Sequence, residues 1–325
     1  MCTYNGAPFV INQLDSIVKQ ARYPDELIIV DDCSTDKTKE ILNNYEGKAS
    51  FKIKLFSNPA NLGVPKNFER AIGLCTGDII VLSDQDDIWK ENKLSLIESI
   101  YSNNTDIDYI FSNATIIGAN NKDIKGNIFN SSGFSLLNKY RFKYLNPFIL
   151  LLHSDVVTGA TLSFRKRIVQ FILPIPKEWI HDAWIAAVCS CLGIKGTYIN
   201  DSILFYRIHS SQYIGINKKI SIKKRARNNR TYGLYEKRRL YYRQLFDHII
   251  FLIKKFNIVS HKAHRNTIFI MKGISHYKTR EIIWQKKSIG MYLSIVQEIL
   301  NLNYFRFSRG FGSVAKDISC IIMKS

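Results

Sequence analysis

Asp78-Ile-Ile-Val-Leu-Ser83, followed at once by Asp84-Gln-Asp86-Asp87-Ile88-Trp89, is the stretch on which the reading of this chain turns. Its apolar run has strand length and no polar alternation, the pattern of a strand buried on both faces. Glu26-Leu-Ile-Ile-Val30 repeats the pattern and also ends in acids, Asp31-Asp32. Helical stripes lie around these runs. Leu14, Ile17, Val18 and Ala21 recur at i, i+3, i+4 and i+7, and Phe68, Ala71, Ile72 and Cys75 do the same before Gly77. Leu94, Ile97 and Tyr101 mark a helix after the acidic stretch, and Asp36 reads as the cap of one carrying Ile41, Leu42 and Tyr45. Phe51-Lys-Ile-Lys-Leu55 alternates like a half-exposed strand, and Asp108-Tyr-Ile-Phe-Ser112 is a further strand. Strands separated by helices predict βαβ units, hence an α/β domain with a mostly parallel sheet. Thr3-Tyr4-Asn5-Gly6 reads as the turn after a first strand, for which only two residues stand ahead of it.

Composition limits the alternatives. The chain has 325 residues, 46% of them hydrophobic and 12% aromatic, enough for a packed core, and its Pro and Gly form no repeat. Six cysteines, at 2, 33, 75, 189, 191 and 320, include no CxxC pair, so neither a zinc site nor a disulfide framework is expected, and a reducing compartment is. No apolar run reaches the ~18 residues of a membrane span. The opening residues lack a basic and then apolar leader, so no signal peptide is expected. Charge divides the chain. Residues 1–210 hold 22 basic and 22 acidic side chains, whereas residues 211–325 hold 24 and 5, so the whole net charge of +19 lies in the last third. That places a boundary near residue 210: a domain over residues 1–215 and a basic, mainly helical region over 216–325.

Ligands of an open α/β sheet gather at the carboxyl ends of its strands. Both acidic groups fall there. Carboxylates converging on one edge repel unless a cation lies between them, and hard oxygen donors of this kind suit Mg²⁺ or Mn²⁺ shared with substrate phosphates. Asp36 is better explained as a helix cap than as part of such a site.

These residues carry a resemblance. Thr3-Tyr4-Asn5-Gly6, the stretch from Val30-Asp31-Asp32-Cys33-Ser34-Thr35-Asp36, Asn61-Leu62-Gly63, Asn67-Phe68 and Ser83 to Trp89 together resemble the family 2 glycosyltransferases of the GT-A fold, in order and spacing. The resemblance covers residues 1–215. It implies an inverting transferase that uses a nucleotide-diphospho-sugar and a divalent metal, Mn²⁺ or Mg²⁺. The SDQDDIW form is similar to bacterial enzymes of surface-polysaccharide synthesis, rhamnosyltransferases among them. Carried over, Thr3 and Tyr4 lie along the nucleotide base, Asp32 meets the base or ribose with Asp31 beside it, and Asp84 meets the ribose or the metal. Asp86 is the metal ligand that bridges the diphosphate, with Asp87 a third acid.

Later motifs extend the resemblance. Val157-Thr-Gly-Ala-Thr-Leu-Ser-Phe164 matches the segment lining the donor–acceptor junction, and Asp182, in His181-Asp-Ala-Trp184, matches the catalytic base. Read without the family, Asp182 is an acid in the first turn of a helix whose inner side carries Ile185, Val188 and Leu192. Trp179 and Trp184 are core residues or sugar platforms. In Tyr206-Arg-Ile-His209, with Ser211-Gln212 and Gly215 following, the resemblance makes His209 a metal or diphosphate ligand. Arg207 and Lys66 stay outside the site, as phosphate contacts or solvated charges.

The function expected is transfer of a sugar to a growing, lipid-linked glycan by an enzyme peripheral to the inner face of the cell membrane. A nucleotidyltransferase is the nearest rival, but no Gly-rich phosphate loop with a lysine appears. A nucleic-acid-binding protein is suggested by the basic, aromatic tail, although the first domain is neutral and acidic at its site, so no nucleic-acid partner is expected. Within the tail, Lys218, Lys219, Lys223, Lys224, Arg225, Arg227, Arg230 and Lys237-Arg-Arg239 precede an apolar stripe of Phe246, Ile249, Ile250 and Ile253. A basic helix with such a stripe suits an anionic bilayer surface. The alternative is a helical bundle with solvated lysines.

Overall fold

The computed structural model describes residues 1–210, 212, 231–286, 288 and 290–322. Ser211, Gly215 and the basic cluster of residues 218–230 lie outside the described residues. The chain divides into two compact units, Met1–Ile216 and Asn217–Ser325.

The first unit is α/β. Its strands are β1 (Cys2–Thr3), β2 (Glu26–Asp31), β3 (Lys52–Ser57), β4 (Ile79–Val81), β5 (Ile88–Trp89), β6 (Tyr109–Gly118), β7 (Asp123–Asn127), β8 (Ser163–Arg165) and β9 (Gly196–Ile208). Its helices are α1 (Val10–Val18), α2 (Thr38–Tyr45), α3 (Val64–Leu74), α4 (Lys93–Asn103), α5 (Ile128–Ser132), α6 (Leu136–Tyr144), α7 (Phe148–His153), α8 (Val169–Ile172) and α9 (His181–Leu192). β1, β2 and β3 form a parallel sheet, with Thr3 opposite Asp31. The short first strand thus consists of Cys2 and of Thr3, the first residue of the opening motif. The apolar run of β2 is buried throughout, whereas β3 buries Ile53 and leaves Lys54, Leu55 and Phe56 alike half-buried, without the expected alternation. Helix α1 turns Val10, Leu14 and Ile17 inward and ends at Val18, short of Ala21. Asp36 caps as expected, accepting from the Thr38 and Ala7 amides at 3.0 and 3.2 Å.

The mostly parallel expectation needs correction beyond β3. The second sheet runs β4-β8-β6-β9-β5, with β7 on β6. Only its β6–β9 pairing is parallel. After β6 the chain returns through a tight connection into β7, too short for the crossover that a parallel neighbour requires. The two sheets meet where the Cys2 amide donates to the Ser83 carbonyl at 3.2 Å.

The second unit is helical: α10 (Thr231–Phe256), α11 (His261–Lys286), α12 (Met291–Leu300), α13 (Asn303–Phe307) and α14 (Phe311–Ile322). Helices α10 and α11 approach closely at Gly273, where a Cβ would lie 2.2 Å from the Tyr242 ring. Here the expected bilayer-facing stripe is corrected. Ile249 is fully buried with Leu245 and Leu252, and Phe246, Ile250 and Ile253 are half-buried. The stripe is a bundle seam. The bundle also encloses an ion pair. Arg280 grips Asp317 through Nε (2.7 Å) and Nη2 (3.0 Å), while Tyr304 and Trp284 donate to the same carboxylate at 2.7 and 2.8 Å. The guanidinium also lies 4.1 Å over the Tyr235 ring.

Removing one member of such a pair strands a buried charge. Arg280→Met is therefore expected to lower stability by about 3–5 kcal/mol in urea unfolding of the full chain. Arg243→Met, which breaks the exposed Arg243–Asp247 pair, should cost less than about 0.5 kcal/mol. Equal losses would contradict this account of the bundle.

Candidate active site

Six residues, Leu82 to Asp87, connect β4 to β5. The turn is clipped to the start of the chain. The Tyr4 amide donates to Gln85 Oε1 at 2.8 Å, and Gln85 Nε2 donates to the Tyr4 carbonyl at 3.0 Å. A Cβ at residue 6 would fall 2.1 Å from Gln85 Oε1, so Gly6 is required for the clip to close. Gln13, from α1, reaches Ser83 Oγ at 2.9 Å.

The clipped turn crowds its acids. The Asp84 carboxyl is pushed up to about 7, first by burial and then by the charges of Asp86 and Asp182. Burial, with Asp86 and Asp84, raises Asp87 well above the carboxylate range. Asp87 Oδ1 accepts from the Arg207 amide at 3.0 Å, while its buried Oδ2 has no hydrogen-bond partner among the described residues. His209 Nε2 lies 2.7 Å from Asp86 Oδ2, with its ring 4.4 Å from that of Phe9.

Two buried cations face this charge, and neither was placed in the site from the sequence. Lys93 is wholly buried at the start of α4, its Nζ donating to the Ala160 carbonyl at 2.9 Å and lying 3.8 Å over the Trp89 ring. Burial pulls its ammonium down to about 7, against the opposing charges of Asp87 and Asp84. Arg207 is also wholly buried, which corrects its reading as a solvated charge or phosphate contact. Its Nε donates to the Asp86 carbonyl at 2.6 Å, Nη1 to the Gly118 carbonyl at 3.3 Å, and its guanidinium lies 5.0 Å over the Phe9 ring. Lys66 pairs with Glu69 on α3 at 2.7 Å.

Asp182 stands in the first turn of α9, half-buried. Its Oδ2 accepts from the Gly159 amide at 2.8 Å and its Oδ1 from the Ala183 amide at 2.6 Å. Gly159 packs so closely that a Cβ would lie 2.4 Å from His181 Nε2. His181 stacks 3.8 Å from Phe68, and burial lowers its pKa, keeping it neutral. The two tryptophans resolve as core: Trp184 donates to the Ile172 carbonyl at 2.8 Å, and Trp179 packs edge-on against it at 5.3 Å.

Thr3, Asp31 and Asp32 form a separate group. Asp31 is fully buried, accepting from the Thr3 hydroxyl and the Ser34 amide, each at 2.9 Å. Asp32 accepts from the Leu62 and Gly63 amides at 2.8 and 2.9 Å and from Asn58 Nδ2 at 2.6 Å. Both carboxylates thus hold loops together. The Tyr4 side chain is exposed beside them. The structure therefore brings Asp84, Asp86, Asp87, Asp182 and His209 into one electrostatic site and joins the second group to it through the Tyr4–Gln85 clip. Among the described residues no three His, Cys, Asp or Glu side chains are grouped to hold a metal ion. Mg²⁺-like ions take one or two protein carboxylates and fill the rest of their shell with water and substrate phosphates. Asp86 and His209, beside an unpartnered carboxylate oxygen, fit that requirement.

Comparison with known proteins accords with this arrangement. The family model described as "Glycosyl transferase family 2" matches residues 1–173. An uncharacterized glycosyltransferase, alr2836, of Nostoc sp. is 26% identical over 216 residues, covering 64% of this chain and 63% of that protein. The dTDP-rhamnosyl transferase RfbG of Shigella flexneri is 36% identical over 109 residues, 32% of this chain and 38% of its own length. The putative teichuronic acid biosynthesis glycosyltransferase TuaG of Bacillus subtilis is 35% identical over 92 residues, 28% and 36% of the two chains. The chain thus spans less than two thirds of these relatives. A crystal structure of Staphylococcus aureus TarS 1–349 in complex with UDP-GlcNAc superposes over 85% of this chain and 70% of its own, with a TM-score of 0.54 and 20% identity, a likeness of fold. With the motifs in order, the acids on one sheet edge, a GT-A architecture and a family match over more than half its length, the chain belongs to glycosyl transferase family 2.

Proposed function

We propose that this protein is an inverting glycosyltransferase that moves a sugar from a nucleotide-diphospho-sugar to a hydroxyl of a lipid-linked glycan in bacterial surface-polysaccharide synthesis. The observation that carries the reading is the placement of Asp182. Two main-chain amides fix its carboxylate, and its charge acts directly on Asp84 in the acidic turn. That arrangement supports reading Asp182 as the base beside the donor site. Relatives named for teichuronic acid, rhamnosyl and poly(ribitol-phosphate) transfer support the substrate class. Family membership favours this reading over nucleotidyl transfer or nucleic-acid binding.

In the proposed step the acceptor oxygen bonds to the anomeric carbon as the bond to the diphosphate oxygen breaks on the opposite face, and Asp182 takes the acceptor's proton. The amides of Gly159 and Ala183 hold the carboxylate in orientation, so little rearrangement accompanies proton transfer. Tyr4 presents its ring to the nucleotide base, while Thr3, Asp31 and Asp32 shape the loop beneath it. Asp86 and His209 would hold Mn²⁺ or Mg²⁺, which when bound supplies counter-charge to the departing diphosphate. Lys93 and Arg207 keep the acidic turn folded around that charge. No helix among the described residues is long and apolar enough to cross a membrane. We place the enzyme at the inner face of the cell membrane, where the basic second unit adds electrostatic attraction to anionic lipid.

Asp86→Ala is expected to abolish metal-dependent turnover of the donor, measured as nucleoside diphosphate release with Mn²⁺ present. Full activity of this variant, or undiminished wild-type activity in chelator, would overturn the metal assignment. Asp182→Asn should leave donor binding nearly intact while slowing transfer by about 10²-fold or more, the range for a lost general base. If donor affinity collapsed while the rate per bound donor survived, Asp182 would be a binding residue instead.

A further inference from the structure

Helix α6 and the residues after it expose an unusual amount of apolar surface. Leu136 is 85% exposed, Tyr144 62%, Leu137 58% and Tyr140 55%, with Leu145 and Ile149 also exposed. The opposite side of α6 is firmly seated. Phe142 is buried among Phe111, Phe134 and Tyr198, with ring centroids 5.2–6.1 Å away, and Lys139 Nζ donates to Asn200 Oδ1 at 2.7 Å. At 3.6 residues per turn, Leu136, Leu137, Tyr140 and Tyr144 fall within an arc of about 100°, with Arg141 and Lys143 on its two flanks and Phe142 facing away. The Tyr140 and Tyr144 rings lie 5.1 Å apart on this face. No acid occurs between Asp123 and Asp155, whereas Lys125, Lys139, Arg141 and Lys143 do.

Soluble proteins seldom leave apolar side chains gathered in this way without a partner. We infer that the α6 face docks the catalytic unit onto an anionic bilayer surface. Aliphatic side chains would enter the acyl boundary, tyrosines would sit at the headgroup level, and the flanking cations would meet lipid phosphates. Charge selects this occupant over a second copy of the chain. A two-fold contact through the same face would set Arg141 and Lys143 of one copy against those of the other, with no acid on α6 itself to relieve them. The surface is also well placed for catalysis. Helix α7 follows directly and packs on α9, the helix that carries Asp182 in its first turn. Docking would hold the base close to the plane in which a lipid-linked acceptor lies. That benefit rests on the acceptor proposed above, whereas the docking itself does not.

The test is co-sedimentation of the full chain with vesicles of phosphatidylcholine alone or mixed with phosphatidylglycerol. The comparison variant carries Leu136→Ser, Leu137→Ser, Tyr140→Ser and Tyr144→Ser, all at exposed positions. Wild type should bind the anionic vesicles preferentially and weaken as salt rises, and the variant should bind at least about 10-fold more weakly. Donor hydrolysis in vesicle-free solution should be equal in both proteins. Equal vesicle binding by both, or no binding by wild type, overturns the docking surface. A wild-type dimer that becomes monomeric in the variant with vesicle binding unchanged also overturns it, in favour of self-association. Absence of donor turnover in the wild type would refute the enzymatic reading and leave the vesicle result standing by itself.

Discussion

Three carboxylates in a six-residue turn must share one edge of the sheet, and the catalytic unit is arranged around that repulsion. Asp84, Asp86 and Asp87 cannot separate, because the turn is tied at both ends and clipped to the first strand by Gln85. Lys93 and Arg207 supply buried positive charge, yet their hydrogen bonds go chiefly to carbonyls: Ala160 for one, Asp86 and Gly118 for the other. Among the described residues neither makes a direct ion pair with the three acids. Their side-chain charges offset the repulsion without bonding to the carboxylate oxygens, although the Arg207 amide takes Asp87 Oδ1. Asp84 and Asp87 stay raised, and Asp87 keeps one oxygen unpartnered. A turn in this condition favours an incoming cation, since a nearby positive charge stabilises carboxylates that burial disfavours.

Arg207 also explains how distant segments meet at the site. It lies next to β9's carboxyl end, bonds to the acidic turn and to the β6–β7 connection, and covers the Phe9 ring, against which His209 packs at a tilt. His209 is thereby set beside Asp86. Asp182 arrives from a different direction, fixed by the tight Gly159 turn whose neighbour, Ala160, accepts from Lys93. One chain of interactions therefore runs from Asp182 through Gly159 and Ala160 to Lys93, whose charge acts on the acidic turn. Substitutions along it should act as a set rather than independently.

Much of this was legible in the sequence, for physical reasons. The apolar runs ending at Asp31 and Asp84 can only be buried strands, and acids at strand ends belong at a ligand edge. Motif order pointed to Asp84, Asp86, Asp182 and His209, which the structure brings together with Asp87. Lys93 and Arg207 were not legible as buried cations. A charged residue beside a polar stretch looks solvated until Ala160, 67 residues away, and Gly118, 89 residues away, fold against it. The βαβ rhythm reached as far as β6, where the short β7 return broke it, and β9 was not legible as its parallel neighbour. The stripe on α10 failed for a different reason. Apolar residues at helical spacing serve a bundle seam as well as a bilayer, and Ile249 shows which applies. On α6 the same kind of pattern stays outward, because Phe142 and Lys139 hold the other side.

The central claim is that the acidic turn and the nucleotide's diphosphate share one cation. The most direct measurement is calorimetric titration of Mn²⁺ into the full chain, with and without a saturating nucleoside diphosphate, repeated in the reverse order. The account predicts that each ligand tightens the other by the same factor, about 10-fold or more, as linkage through a shared ion requires. Independent binding of the two, with the affinity of each unchanged by the other, would contradict it.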